Sequence, residues 1–262
     1  MKIETKQKLL DIARRARLLP LLERVRFLRS KHQSAPANAA FRNMNPEFTP
    51  PPLWWMHDMY RHTSFDLYWQ TGKETADVIA QKIDQHCAVT HPRVADWGCG
   101  LARVLRHLPA RYERTGLDYN HRAIAWAREQ FGDIAFHENE LLPPLPAMDA
   151  QFDCVYALSV FTHLSEAAHM LWINEIDRVL APGGILIAAF HMRPYAGQLL
   201  PAEQKQFDSG ALVVRGGVKE GSRIFTAHHP EIFLRNRLFA NFDIVEGPFD
   251  IFGQEAFTVR KR

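Results

Sequence analysis

Residues 94–108 read VADWGCGLARVLRHL, and this stretch decides the fold. A short apolar run leads into Asp96, Gly98 and Gly100 follow with one residue between them, and an apolar pattern at helical spacing begins at Ala102. This order predicts a strand, a tight glycine turn and a helix. Since glycine has no Cβ, a ligand can lie directly against such a turn, beside the unpaired N–H groups of the new helix. We therefore expect a nucleotide-like ligand here.

The spacing of the two glycines argues against a dinucleotide. The dinucleotide-binding pattern G-x-G-x-x-G requires a third glycine, and Arg103 occupies that position. Asp96, at the end of the predicted strand, would repel a pyrophosphate but would suit a ligand that carries an amino group.

These residues resemble the first motif of the class I S-adenosylmethionine-dependent methyltransferases, an acidic residue followed by G-x-G and a small residue. Alanine stands at position 102, where many members have glycine. Further along, S-V-F-T-H-L at 159–164 and L-A-P-G-G at 180–184 resemble the fourth and fifth motifs of the family. The resemblance covers residues 93–190 in the correct order. It implies methyltransferase activity, with S-adenosylmethionine as the cofactor.

Composition describes an ordinary globular chain. It has 262 residues and a formal net charge of +3, and 47% of its residues are hydrophobic, enough for one main domain with additions. No apolar run reaches the roughly 20 residues that cross a bilayer, and we expect no signal peptide. The three cysteines form no C-x-x-C pair, which favours a reducing, cytoplasmic location without disulfides or a zinc site.

The first 33 residues are predicted to form a basic helical extension. Ten Lys and Arg residues against three acidic ones lie between Lys2 and Lys31, and the apolar spacing predicts two short amphipathic helices, the second opening at Pro20. Such an arm either packs on its own domain or contacts a peripheral membrane surface or a protein partner. The sequence leaves both interpretations open.

Residues 34–70 are predicted to be a proline- and aromatic-rich linker and cover. The part from Ser34 to Pro52 is rich in alanine, asparagine and proline, which predicts a linker. Residues 53–69 then concentrate tryptophan, tyrosine and histidine. This aromatic segment is either a packed cover for the core or a wall of the acceptor site.

Residues 71–262 are predicted to form the methyltransferase domain. Thr71 and Glu74 have capping-box spacing for a first helix, while Asn120 and Ser165 are candidate N-caps of later helices. Strands alternate with these helices, and the resemblance implies an α/β fold, a three-layer Rossmann-like sandwich with a seven-stranded, mostly parallel sheet whose last strand is antiparallel. Within residues 195–226, the glycines at 210, 216, 217 and 221 indicate a small inserted hairpin, and insertions at this place commonly shape the acceptor pocket.

Asp118 is the clearest ligand-binding candidate outside the glycine turn. It lies eighteen residues after Gly100, at the end of a second strand, where a carboxylate can accept hydrogen bonds from both ribose hydroxyls. In the family, a polar or acidic residue after the third strand meets the adenine amine, and Asn139 and Glu140 are equal candidates. The cofactor-binding residues implied by the resemblance are Asp96, Gly98, Gly100, Ala102, Asp118, Tyr119, Asn139, Glu140, Ser159 and His163.

Catalysis on a hydroxyl acceptor would need a base as well as an in-line acceptor and a dry pocket. His163 and His191 follow the fourth and fifth strands, and His57 and Tyr60 lie in the aromatic segment. Our catalytic candidates are His163, His191 and Tyr60, with the pair at 228–229 a weaker choice. No H-x-x-x-H or carboxylate cluster accompanies the histidines, so we expect no metal.

The leading function is O-methylation of a small-molecule or saccharide-like acceptor. A nucleic-acid or protein methyltransferase and a non-catalytic cofactor-binding scaffold are the alternatives. Against nucleic acid, the fourth strand runs into Ala157-Leu158-Ser159 instead of the Asn/Asp-Pro-Pro-aromatic turn used on exocyclic amines, and no basic stripe lies outside the N-terminal arm. Intact Asp96 and Asp118 argue against a scaffold without turnover.

Overall fold

A computed structural model describes residues 19–262, which form two compact units, one ending at Gln70 and the other comprising Thr71–Arg262. The first of the two predicted amphipathic helices lies outside the described residues. In the first unit, helix α1 spans Leu19–Met44 and α2 spans Leu53–Tyr60. Helix α3, Phe65–His86, begins in the first unit and continues into the second.

Helix α1 shows that the predicted linker is wrong over residues 34–44. The helix continues through this stretch with Pro36 inside it. Alanines surround the proline and favour helix, and side chains of α1 are also bound from outside. Asn38 donates through Nδ2 to the Thr63 carbonyl (2.8 Å) and accepts at Oδ1 from the Phe65 N–H (2.9 Å). These bonds stabilise a helix whose proline costs one backbone hydrogen bond.

Seven strands of the second unit form one sheet in the order β3-β2-β1-β4-β5-β9-β8. Only β9 runs antiparallel to its neighbours β5 and β8, which confirms the predicted seven-stranded, mostly parallel sheet. The strands are β1 Arg93–Trp97, β2 Glu113–Asp118, β3 Ala135–Glu138, β4 Phe152–Ala157, β5 Leu180–Phe190, β8 Phe242–Ile251 and β9 Gln254–Lys261.

Two hydrophobic cores lie on the two faces of this sheet. Alternate residues of a strand point to opposite faces, and Val155 of β4 belongs to one core while Tyr156 belongs to the other. Helix α5 (Glu166–Val179) packs into the first core through Trp172 and Ile176. Helices α3 and α4 (His121–Gln130) supply the second. The result is the predicted three-layer Rossmann-like sandwich, with β4 buried along its whole length.

Two of the three predicted helix caps are present. Asn120 accepts from the N–H of Ala123 (3.3 Å) at the start of α4, and Ser165 accepts from that of Ala168 (3.3 Å) at the start of α5. The capping box at Thr71 is wrong because α3 begins six residues earlier, at Phe65. The Thr71 hydroxyl instead accepts a hydrogen bond from the Arg103 guanidinium (3.1 Å).

The helix predicted from Ala102 is also wrong. A turn over residues 101–104 and a short 3-10 turn, Leu105–His107, follow the glycines instead. Ala102 has a φ of 55°, outside the right-handed helical region, and Pro109 comes soon after. The ligand-binding argument from a helix N-terminus therefore does not apply here.

The insertion holds more structure than the predicted hairpin. Its two strands, β6 Val213–Arg215 and β7 Thr226–His228, pair antiparallel, and two short helices precede them, α6 Arg193–Ala196 and α7 Pro201–Asp208. A last short helix, α8 Glu231–Phe233, continues as a π-turn to Leu238 and leads into the β8–β9 hairpin. Within residues 19–262, no helix is both long and apolar enough to cross a membrane.

Candidate active site at the carboxyl edge of the sheet

The predicted cofactor residues of the second unit lie at or just beyond the carboxyl ends of four parallel strands. Parallel strands end at the same edge of a sheet, and ligands bind in the crevice there. Asp96 is the last residue but one of β1, and Gly98, Gly100 and Ala102 follow that strand. Asp118 ends β2 and Tyr119 follows it, Asn139 and Glu140 follow β3, and Ser159 and His163 follow β4. His191 comes directly after β5.

The glycine turn after β1 is tight and closely packed. Gly98 and Gly100 have positive φ values, 86° and 52°. A Cβ on Gly98 would lie 2.4 Å from Cγ2 of Val160, in the loop after β4, so only glycine fits this position. The N–H of Gly98 donates to the Leu117 carbonyl (2.7 Å), which joins the turn to β2. The loops after β1, β2 and β4 are thereby held together.

Asp118 is buried and bonded to the backbone on both sides of the crevice. Its Oδ2 accepts from the Gly100 N–H (2.8 Å) and its Oδ1 from the Asn120 N–H (2.8 Å). Each carboxylate oxygen has two lone pairs, so one on each oxygen stays available for a ligand. Burial raises the pKa of Asp118, and the backbone N–H groups of Asn120, Gly100 and Tyr119 oppose that rise.

Asp96 is a second buried carboxyl group, 5% exposed, under the same turn. Burial raises its pKa to about 7, the nearby Asp118 adds to the rise, and Arg103 opposes it. A buried carboxylate is stabilised when a positive charge binds beside it. The turn therefore presents negative charge to its ligand, in place of the positive helix end that phosphates prefer.

Asn139 and Glu140, which the sequence could not separate, differ in burial. Asn139 is 8% exposed, and its Nδ2 donates to the Glu140 carbonyl (2.7 Å). Its Oδ1 is buried with no hydrogen-bond partner among the described residues. The Glu140 side chain is exposed. A buried acceptor without a donor is costly, so Asn139 is the one that a ligand amine would satisfy.

Ser159 follows β4 in a left-handed conformation, with φ at 61°. Its hydroxyl donates to Oε1 of Gln254 (2.8 Å), the first residue of β9. This bond joins the loop after β4 to the C-terminal hairpin. The two residues are 95 positions apart, so no local sequence pattern connects Ser159 with Gln254.

His163 is held in one chemical form. Its Nδ1 lies 2.7 Å from the carbonyl oxygen of Phe225, and a carbonyl only accepts, so Nδ1 carries the proton. Burial lowers the pKa of His163, against the effect of the Phe225 carbonyl, so the ring is neutral at pH 7. A neutral imidazole has one N–H, which leaves Nε2 as a basic nitrogen with a free lone pair.

His191 lies beside Tyr195 and His228, which were not among the main candidates from the sequence. Its ring stacks on that of Tyr195, with the centroids 4.2 Å apart, and its centroid lies 5.7 Å from that of His228. Burial lowers the pKa values of His191 and His228 to about 4. Both Nδ1 atoms are buried without a hydrogen-bond partner in the described part of the chain. The sequence signals for this cluster were the position of His191 after the fifth strand, the histidine pair at 228–229 and the clustered glycines of the insertion.

His169 and His229 form a separate buried pair. Their Nε2 atoms are 2.8 Å apart, and both residues have no exposed surface. The Nδ1 of His169 donates to the Ser165 carbonyl (2.7 Å), so its Nε2 accepts the proton of His229 Nε2. Both rings are therefore neutral, and the pair is part of the core.

The remaining candidates belong to the first unit. Tyr60 ends α2, with its ring centroid 5.6 Å from that of Tyr68, and His57 is buried in the same helix with its Nε2 3.7 Å from Glu23. Across residues 19–262, no group of three or more His, Cys, Asp or Glu side chains is placed to hold a metal ion.

Comparison with known proteins agrees with this geometry. A family model described as a methyltransferase domain matches residues 94–184, the stretch from β1 into β5. Similar solved structures include CalS10, a S-adenosylmethionine-bound amino pentose methyltransferase from Micromonospora echinaspora involved in calicheamicin biosynthesis. It is 18% identical with a TM-score of 0.54, and the match covers 76% of this chain and 96% of that one.

Two further structures share the fold at similar distance. DesVI from Streptomyces venezuelae is 16% identical with a TM-score of 0.55, and the match covers 76% of this chain and 97% of that one. A S-adenosylmethionine-dependent methyltransferase from Methanosarcina mazei is 18% identical with a TM-score of 0.51, covering 68% and 96%. At these identities the structures show the fold, and the matched stretch shows a methyltransferase domain. The chain contains a methyltransferase domain at residues 94–184, within a Rossmann-like fold that it shares with S-adenosylmethionine-dependent methyltransferases.

Proposed function

We propose that the protein transfers the methyl group of S-adenosylmethionine to a hydroxyl oxygen of a small, saccharide-like acceptor. The observation that carries this proposal is the neutral His163 ring at the carboxyl edge of β4. Its Nδ1–H donates a hydrogen bond to the Phe225 carbonyl, which leaves Nε2 as the basic nitrogen. A hydroxyl must lose its proton when it is methylated, and a fixed neutral imidazole is suited to take it.

The residues of the crevice fit the cofactor in chemical type. In this proposal the free lone pairs of Asp118 accept the two ribose hydroxyls, and the unpartnered Oδ1 of Asn139 accepts the adenine amine. Asp96 supplies negative charge for the amino group of the methionine moiety. When bound, S-adenosylmethionine supplies an electrophilic methyl group on a sulfonium, so no further activation of the methyl donor is required of the protein.

During the transfer, the acceptor oxygen forms a bond to the methyl carbon while the carbon–sulfur bond breaks. His163 takes the hydroxyl proton at Nε2, and its positive ring is then stabilised by the Phe225 carbonyl. The buried surroundings of His163 and His191 exclude water that would compete for the methyl group.

The cluster at His191 supports an acceptor with several hydroxyl groups. The unpartnered Nδ1 atoms of His191 and His228 can each accept a hydrogen bond from a hydroxyl. The stacked rings of His191 and Tyr195 offer an aromatic surface of the kind that packs against the C–H face of a sugar. Similarity in fold to an amino pentose methyltransferase is in keeping with this proposal.

We expect S-adenosylmethionine and its demethylated product to raise the melting temperature of the purified protein by mass action. Thermal scans with each ligand, and with NADH for comparison, test cofactor choice. Stabilisation by NADH alone would contradict the proposal. Incubation with methyl-labelled cofactor and pools of sugars, sugar nucleotides and hydroxylated metabolites then tests the acceptor. Cofactor binding without label transfer to any hydroxyl would favour the scaffold alternative.

Replacing Asp118 by alanine is expected to weaken cofactor binding by about 1.5 to 3 kcal/mol, or about 10- to 150-fold in Kd, because a charged acceptor of two hydroxyl groups is lost. Calorimetric titration with the demethylated product measures this. Glu113→Ala is the matched control, since Glu113 is exposed at the opposite end of the same strand. Equal affinities of the two variants would show that Asp118 does not bind the ribose.

A further inference from the structure

The loop of the inserted hairpin lies over three of the strand ends that form the site. This loop, residues 216–225, joins β6 to β7, and we call it the strap. It reaches Tyr119 after β2, Leu141 after β3 and His163 after β4. One loop therefore contacts the ribose side and the base side of the crevice.

Gly221 is the centre of these contacts. Its carbonyl accepts from the Tyr119 hydroxyl (2.9 Å), and its N–H donates to the His163 carbonyl (2.9 Å). A Cβ at this position would lie 2.5 Å from Cδ1 of Leu141, and the residue has a φ of 77°. The strap is thus seated against the site at a point where only glycine fits.

Two further hydrogen bonds join the strap to His163 and to Ser165, two residues later. The N–H of Ser165 donates to Oε1 of Glu220 (2.5 Å), and the Nδ1 of His163 donates to the Phe225 carbonyl (2.7 Å). If the strap moved away, His163 would lose the Phe225 carbonyl, which fixes its Nδ1 proton. The form of the base thus depends on the position of the strap.

We propose that the strap is a positioning element that links cofactor binding to proton removal. In its closed position it encloses the ribose side of the cofactor through Tyr119. In the same position it holds His163 with the proton on Nδ1, so that Nε2 can take the proton of the acceptor hydroxyl. The inference rests on the proposed function. Tyr119 and Phe225 are positioning residues here, since both act through another group. His163 then takes the form with a basic Nε2 only when the strap closes the cofactor pocket. A reactive base therefore does not face open solvent.

Glycine substitutions test the proposal. Gly221→Ala introduces both the collision with Leu141 and an unfavourable φ, whereas Gly217→Ala introduces the unfavourable φ alone, since Gly217 has a φ of 76° and open space around its Cβ position. In Gly221→Ala we expect the strap amides to exchange with deuterium at least 10-fold faster in the ligand-free protein. We also expect the nitrogen NMR shifts of His163 at pH 7.5 to change from one tautomer to a mixture. Gly217→Ala should stay close to wild type in both.

Tyr119→Phe removes a single hydrogen bond and leaves the ring in place. We expect the demethylated cofactor to dissociate about 2- to 10-fold faster, as the loss of one hydrogen bond predicts, with the His163 shifts moved toward the mixture. Unchanged exchange and tautomer in Gly221→Ala, or equal changes in Gly217→Ala, would overturn the proposal. Because exchange and tautomer are read without ligand, they decide the role of the strap even if the wild-type protein binds no S-adenosylmethionine.

Discussion

His163→Ala is expected to lower kcat by about 10²- to 10⁴-fold while the affinity for S-adenosylmethionine stays within a few-fold of wild type. The loss follows from removing a base that is neutral, fixed by the Phe225 carbonyl and placed after β4. The wild-type rate should fall as pH drops through the His163 pKa, since only the unprotonated ring accepts a proton. Because burial lowers that pKa, the fall should lie below the ordinary value of about 6.5. Single-turnover transfer to the hydroxyl acceptor, measured from pH 5 to 8.5, gives both quantities.

The matched control is His91→Ala, because His91 is exposed and precedes β1 at the opposite edge of the sheet. It should retain the rate and the pH profile of wild type. If His163→Ala keeps the rate while His191→Ala loses it, the base is His191. If neither substitution costs 10²-fold, methyl transfer depends on proximity and desolvation, or the base is Tyr60 or His57.

The sheet could be predicted because its strands have physical signatures that local sequence carries. Strand β4 is buried on both faces and reads as an apolar run apart from Asp153, and Asn120 and Ser165 stand directly before helices that need a cap. The glycine pair, with an acid at the end of each of two strands, located the crevice. These signals lie within a few residues of the structure that they specify.

Features that depend on distant residues could not be predicted in this way. Helix α1 passes through Pro36 partly because Asn38 is bonded to Thr63 and Phe65, and no local pattern shows such bonds. The turn after Gly100 does not become a helix, since Ala102 adopts a positive φ in a loop fixed by its neighbours.

The catalytic side of the site shows the same limit. Sequence position suggested His163 and His191 equally, and the contact with Phe225, 62 residues away, shows which nitrogen of His163 carries the proton. Gln254 and His228 likewise enter the site through pairings across the sheet and the inserted hairpin. Motifs therefore predicted a crevice at the carboxyl edge of the sheet, while tertiary contacts were needed to describe the surroundings of each candidate base.

The buried pair His169–His229 is expected to make the protein sensitive to mild acid. A hydrogen bond between two Nε2 atoms holds one proton, so protonating His169 breaks the pair, and protonating His229 at its buried Nδ1 places a charge in the core. Burial lowers the pKa of His169 to about 4, and burial together with His169 lowers the pKa of His229 well below its ordinary value. Below about pH 6.5, the two histidines bind protons in the unfolded chain but not in the folded chain. The free energy of unfolding therefore falls as pH falls.

Each such histidine lowers the free energy of unfolding by about 1.4 kcal/mol per pH unit between pH 6.5 and its pKa in the folded protein. For two rings this gives at most about 4 kcal/mol between pH 7.5 and 5.0, a large share of the roughly 5 to 15 kcal/mol that stabilises a domain. Urea unfolding at these two pH values measures the loss.

In the double variant His169→Phe/His229→Phe, which keeps two aromatic rings, the part of this loss that comes from the histidine pair should disappear. The Ser165 carbonyl still accepts the backbone N–H of residue 169 there (3.0 Å). His91→Phe, at an exposed position, should behave as wild type. Equal losses in wild type and the double variant would mean that other groups, such as His191, His228 or the carboxylates, set the acid sensitivity instead of this pair.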